Sequence, residues 1–145
     1  MALDEKRMSA WQAFLQTYNA VIPALECELR EAQDLPLVWY NVLTHLNRNP
    51  TGELRLQELA SAITLSQSGL TRLLDRMSKA GLIERKPCPH DRRGAYAVIT
   101  SQGKVRLEQA VPIYNQGIDQ HFLRHLTAED VQALNGVLSK ILEAE

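Results

Sequence analysis

The stretch RKPCPHDRRGAYAVITSQG, Arg85 to Gly103, gathers a thiol (Cys88), an imidazole (His90), a carboxylate (Asp91) and two guanidinium groups (Arg92 and Arg93). Side chains of these types support three chemistries: a metal or redox site, a nucleophile–base pair, or a grip on an anion. Spacing decides among them. Cys88 and His90 are two ligands where a tetrahedral site needs four, and no second close pair lies nearby. A Cys–His nucleophile needs a pocket and a third, orienting group. Pro87 to Gly94 is rich in proline, glycine and charge, and reads as an exposed hairpin tip that offers neither. Nor does the rest of the chain hold a nucleophile–base constellation, so it does not read as an enzyme, and no cofactor is expected.

Charge distribution favours the anion. The net charge is −1, yet Arg72 to Arg106 holds nine Lys/Arg against three Asp/Glu, and the remainder seven against fourteen. One basic segment between acidic flanks is the footprint of a surface that faces phosphates, although a merely solvated charged face has the same signature. Composition is that of a globular domain, with 45% hydrophobic and 23% charged residues in 145. No apolar run is long enough for a membrane span, and MALDEKRM lacks a signal peptide's apolar stretch, so a cytoplasmic location is expected. Cys27 and Cys88 are too few for a disulfide framework.

The elements that would position these groups are legible from periodicity. Met8, Trp11, Phe14/Leu15, Tyr18, Val21/Ile22, Leu25 and Leu29 recur at steps of three and four, predicting a long amphipathic helix from Asp4 to about Ala32. Pro23 is expected to bend it. A second helix carries Val38, Trp39, Val42, Leu43 and Leu46, with Pro36 in its first turn and a stop around Asn49-Pro50-Thr51-Gly52. Leu56, Leu59, Ala60 and Ile63 define a short helix, Thr64-Leu65 a tight break, and Ser66 the N-cap of another helix with Leu70, Leu73, Leu74 and Met77 inside. Gly81 ends that helix. Two short helices around a three-to-four-residue turn describe a helix-turn-helix. Leu82–Lys86 and Ala95–Ile99 then pair as a hairpin, Thr100 or Ser101 caps a helix to about Arg124, and Thr127–Asp130 opens a last helix with a capping box.

LQELASAI, LSQSGLTRLLDRMSKAGLIER and HDRRGAYAVITSQGK, in this order, resemble the MarR family of winged helix-turn-helix transcriptional regulators. The resemblance implies a mainly α fold with a small β-hairpin wing: one domain over 1–145, with a DNA-binding lobe over 36–100 and dimerisation helices over 1–34 and 101–145. It implies an obligate homodimer on a pseudo-palindromic operator, with repression the expected outcome. The apolar faces of the first and last helices independently call for a partner. Two recognition helices would then meet half-sites one helical turn apart, roughly 34–36 Å.

Double-stranded DNA is thus the expected partner, contacted by Ser66, Gln67, Ser68, Thr71, Arg72, Arg76, Lys86, Asp91, Arg92 and Arg93. Arginine reads guanine bidentately, glutamine suits adenine, and hydroxyls fit either. The resemblance makes Asp91 the organiser of the wing and one of Arg92 and Arg93 the minor-groove reader. Many members have glycine where Thr64 stands, so that turn is expected to be tighter, differently shaped or slightly strained. The family's effector site implies a small aromatic ligand near Trp11, Tyr18, Trp39, Tyr40 and His45, residues that helical spacing alone would assign to core.

Two other readings stay open. A redox- or zinc-responsive regulator of the same fold would use Cys27 or Cys88, or His121 and His125 with Asp119 or a residue of a second subunit. A winged-helix module for protein association alone would bind no DNA.

Overall fold

The computed structural model describes residues 2–88 and 91–145, with only the backbone described at 91–93. The chain divides into two compact units: Glu26–Ile113, and Met1–Leu25 with Tyr114–Glu145. The 36–100 lobe named from the sequence lies within the first.

In Glu26–Ile113 the order is the end of α1 (Glu5–Gln33), then α2 (Leu37–Arg48), β1 (Glu53–Arg55), α3 (Leu56–Ile63), α4 (Gln67–Lys79), β2 (Ile83–Cys88), β3 (Asp91–Ile99) and the first half of α5 (Ser101–His121). The core is aliphatic. Leu29, Leu35, Val42, Leu43, Leu46, Leu59, Leu74 and Met77 are fully buried, and no polar or charged residue among those described is. Truncating one such leucine to alanine typically costs about 2–5 kcal/mol.

Pro36 sits one residue earlier than expected, as the N-cap of α2 with φ −61°. It lends its carbonyl to the amides of Trp39 and Tyr40. The helix stops where Asn49 Oδ1 accepts from the Thr51 amide and hydroxyl, a side-chain turn that competes with further helix. The three strands form one antiparallel sheet in the order β1-β3-β2. Strand β1 is absent from the sequence reading because three residues are too few for a period-two signal.

Thr100 proves to be the cap of α5. Its hydroxyl accepts from the Gly103 amide at 3.0 Å and donates to the Gly81 carbonyl at 2.6 Å, so one side chain joins the end of the α4 turn to the start of α5. Gly103 is required there, since a Cβ would collide with the Leu82 carbonyl and lie 2.8 Å from Ile99 Cγ1. Farther along, Arg106 Nη2 donates to the carbonyls of Gln33 (2.7 Å) and Asp34 (3.4 Å), satisfying the orphan acceptors at the end of α1.

The other unit holds most of α1, the second half of α5, a 3-10 turn (Leu123–His125) and α6 (Ala128–Ala144). α1 stays helical through Pro23. α5 ends three residues short of the expected Arg124, passing into that turn. α6 opens on the expected capping box, Thr127 and Asp130 each accepting the other's backbone amide. Its apolar positions are not spent: none of α6 is buried, and Val137, Ile141 and Leu142 are exposed. Trp11, Phe14 and Tyr18 of α1 are exposed likewise.

Candidate nucleic-acid interface

α4 stands with one face buried and the other turned outward because of its two ends and one stripe. Ser66 Oγ accepts the Gly69 amide at 3.1 Å, satisfying an orphan donor of the first turn. Ala80 and left-handed Gly81 (φ +79°) close the other end. Between them Leu70, Leu73, Leu74 and Met77 are buried, which leaves Gln67, Ser68, Arg72, Asp75, Arg76 and Lys79 in solvent. Thr71 lies at the border, half-buried, its hydroxyl donating to the Gln67 carbonyl at 2.9 Å. Ser66 Oγ and Ser68 Oγ are 3.3 Å apart. Six expected contact residues thus share this helix and its cap.

The turn before α4 bears the expected strain. Thr64 caps α3 with φ 57° and ψ 49°, a left-handed conformation that a β-branched residue adopts at a cost. It lets the Leu65 amide bond the Ala60 carbonyl at 3.1 Å and turns the chain sharply into Ser66.

The wing is longer than its sequence pattern suggests. β2 runs to Cys88 and β3 begins at Asp91, so strand extends from both sides into the tip expected over Pro87–Gly94. The register pairs Pro87 with Ala95 and then, after a bulge, Cys88 with Asp91. Two prolines, a run of charge and Gly94 masked this, because backbone pairing on an exposed ribbon asks little of side-chain hydrophobicity. Cys88 is buried, 7% exposed, and not the exposed tip residue expected. The side chains of Asp91, Arg92 and Arg93, and all of His90, lie outside the described residues; the backbone puts Asp91, Arg92 and Arg93 at the head of β3.

Two contacts that the sequence pattern does not reveal bind the wing to its surroundings. Arg85 Nη1 lies 2.7 Å from Asp75 Oδ1, joining β2 to α4. On the opposite sheet face Lys86, Tyr96 and Arg55 stand in one cross-strand row. Arg55 Nε donates to the Tyr96 hydroxyl at 3.4 Å, with its guanidinium carbon 5.8 Å from the ring centroid. Lys86, an expected phosphate contact, is exposed in that row. No sequence signal could have paired residues forty-one positions apart through a strand too short to be read.

The sensing candidates fare less well. Asp119, named as a zinc ligand beside His121 and His125, is held by Arg124 through Nε (3.3 Å) and Nη2 (2.9 Å). Because α5 ends at His121, His125 falls in the 3-10 turn and the four-residue helical spacing does not apply. Among the described residues no group of three or more His, Cys, Asp or Glu is arranged to hold a metal ion. Cys27 is exposed, and its thiol is pushed up by a 3.4 Å hydrogen bond to the Glu31 carboxylate and that group's charge, which opposes thiolate chemistry. Of the effector candidates, Trp11 and Tyr18 are exposed in one unit, whereas Trp39 and His45 are half-buried and Tyr40 buried in the other. Burial, then the charge of Arg48, pushes the His45 imidazole down.

A family model for the MarR family matches residues 33–94, the stretch from the end of α1 into the wing. The multiple antibiotic resistance protein MarR of Escherichia coli (strain K12) is 35% identical over 85 residues, 59% of this chain and 59% of its own length. AbsC, a MarR family transcriptional regulator from Streptomyces coelicolor, has a crystal structure that superposes with a TM-score of 0.92 at 29% identity, over 99% of this chain and 97% of AbsC. In sequence and in fold the chain is similar to MarR family regulators. It spans about three-fifths of the length of the curated MarR proteins it matches. Sco3205, another MarR family regulator from Streptomyces coelicolor, was solved in complex with DNA and superposes with a TM-score of 0.92 at 26% identity, over 99% of this chain and 90% of that one. Within the MarR fold, α3 and α4 are the helix-turn-helix and β2 with β3 the wing, so the fold expected from the resemblance is the one observed. Among the described residues no helix is long and apolar enough to cross a membrane.

Proposed function

We propose that this protein is a homodimeric transcriptional regulator that binds a pseudo-palindromic operator, represses transcription there, and is released by a small aromatic ligand. One observation carries the reading. α4 is capped, packed by a single stripe, and turns Gln67, Ser68, Arg72 and Arg76 to solvent beside a basic hairpin. A helix so exposed and so polar has no structural need of those side chains. Base edges in a major groove do need them, from the N-terminal half of the helix. Arg72 is the guanine reader, Gln67 an adenine reader, Arg76 and Lys86 phosphate contacts, and Arg92 and Arg93 the wing's cations, ordered by Asp91. Ser66 serves chiefly as cap. The solved DNA complex of Sco3205 supports the reading by analogy of fold and sequence.

The unspent apolar faces of α1 and α6 support the dimer. A monomer exposing Trp11, Phe14, Val137, Ile141 and Leu142 together would present an unusually large apolar surface. Trp39, Tyr40 and His45 are the residues offered for the effector.

Fluorescence anisotropy with the intergenic DNA upstream of its own gene, at several salt concentrations, tests the function. Binding that weakens steeply with salt is expected. Arg72→Ala should cost about 1–3 kcal/mol on the specific site and flatten the preference at one base position per half-site. Salt-insensitive or absent binding would favour a protein-association module instead.

A further inference from the structure

The N-terminal end of α4 presents three hydroxyls, and each has work inside the protein. Ser66 Oγ is occupied by the Gly69 amide and shares a 3.3 Å contact with Ser68 Oγ. Thr71 Oγ1 gives its one proton to the Gln67 carbonyl at 2.9 Å. A base acceptor could claim that proton only by breaking the bond to the preceding turn. The bond also selects between the two χ1 wells open to a helical threonine, and so fixes the methyl along with the hydroxyl.

Position narrows what that methyl can do. Thr71 lies four residues after Gln67 and immediately before Arg72, in the half of the helix whose residues reach base edges. It is half-buried, where the apolar stripe of Leu70 and Leu74 meets the polar face. Gln67, Ser68 and Arg72 around it are all hydrogen-bonding groups. Thymine is the base that carries a methyl group into the major groove.

We propose that Thr71 is a specificity-determining residue that reads a thymine by methyl–methyl contact, its one hydroxyl proton being committed to the Gln67 carbonyl. This rests on the DNA-binding reading above. The contact discriminates thymine from cytosine and from uracil, which a hydrogen-bonding hydroxyl does not do in the same way.

The test begins with an operator selected by the wild-type protein from random-sequence DNA. Each thymine is then replaced by deoxyuridine, and affinities are measured for wild type, Thr71→Val and Thr71→Ser. At one position per half-site, uracil should weaken wild-type binding about four-fold, the worth of one buried methyl-sized group. Thr71→Val, which keeps the methyl and loses the hydroxyl, should retain that discrimination. Thr71→Ser, which does the reverse, should bind thymine and uracil alike, at the wild-type level for uracil. Indifference of the wild type to uracil at every position overturns the proposal. So does discrimination kept by serine and abolished by valine, which would return the hydroxyl to base reading. A wild-type protein that selects no sequence would overturn the regulator reading itself, and this inference with it.

Discussion

Asp75 Oδ1 of α4 and Arg85 Nη1 of β2 lie 2.7 Å apart, so the recognition helix and the wing are pinned to each other by a charge pair across ten residues of chain. Both side chains are partly exposed, at 52% and 33%, and such a pair contributes roughly 0–1 kcal/mol to stability. Under the proposed function, its larger effect is on the surface offered to DNA. Asp75 is an acid in the middle of a basic face, and it holds one of the wing's arginines in place.

Asp75→Ala should therefore leave thermal stability nearly unchanged while strengthening binding to unrelated DNA. Each Arg85 freed to meet a phosphate should steepen the log–log salt slope by about 0.9. Equal slopes for variant and wild type on non-operator DNA would show that Arg85 stays where Asp75 put it.

Thr64→Gly should stabilise the protein. Relief of a left-handed threonine offsets the extra chain entropy of glycine, for a net gain of about 0.5–1 kcal/mol. Urea unfolding measures it, and an unchanged or lower midpoint would mean that the turn is not strained.

For the wing, Arg92→Ala with Arg93→Ala should weaken binding to operator and unrelated DNA together. The salt slope should fall by about 0.9 for each phosphate that the variant no longer neutralises, with the fold and the oligomeric state unchanged. Cys88→Ser in reducing, metal-free buffer should change affinity far less. Were Cys88→Ser to abolish binding and the arginine pair to prove silent, a redox or metal function would be the better account.

Ile141 and Leu142 are 55% and 75% exposed on α6. If α1 and α6 form the proposed dimer, Ile141→Asp with Leu142→Asp should give a monomer in sedimentation velocity and weaken operator binding steeply. Wild-type protein that sediments as a monomer at micromolar concentration would remove the proposed role of α1 and α6.

His45 supplies a pH dependence of known sign. Burial and Arg48 lower its pKa in the folded protein below the ordinary 6.5, so the unfolded chain takes up a proton that the folded one resists. Stability is then unaffected at higher pH and declines as pH falls through the unfolded value. His45→Gln should flatten that decline between about pH 7.5 and 5.5. Parallel declines in variant and wild type, followed by urea midpoints, would assign it to other groups.

Much of this protein is local and therefore legible in a single chain. Apolar spacing determines where α1, α2, α4 and α6 run, because a helix face repeats within a few residues. Caps are equally local: Ser66 before α4 and Thr127 with Asp130 before α6 satisfy amides only three residues away. The helix-turn-helix, the polar face of α4 and the basic segment all follow from these. What the sequence could not settle is what distant residues do to one another. Pairing with β3 makes a strand of Glu53–Arg55, carries the wing past Pro87, and buries Cys88. A through-space contact commits Asp75 to Arg85, and the end of α5 separates His125 from His121's helix. Even Thr71's hydroxyl proton is committed only by its bond to the Gln67 carbonyl. Periodicity reports which face of an element is apolar, whereas hydrogen bonds and charge pairs depend on which elements the fold brings within about 3 Å of each other.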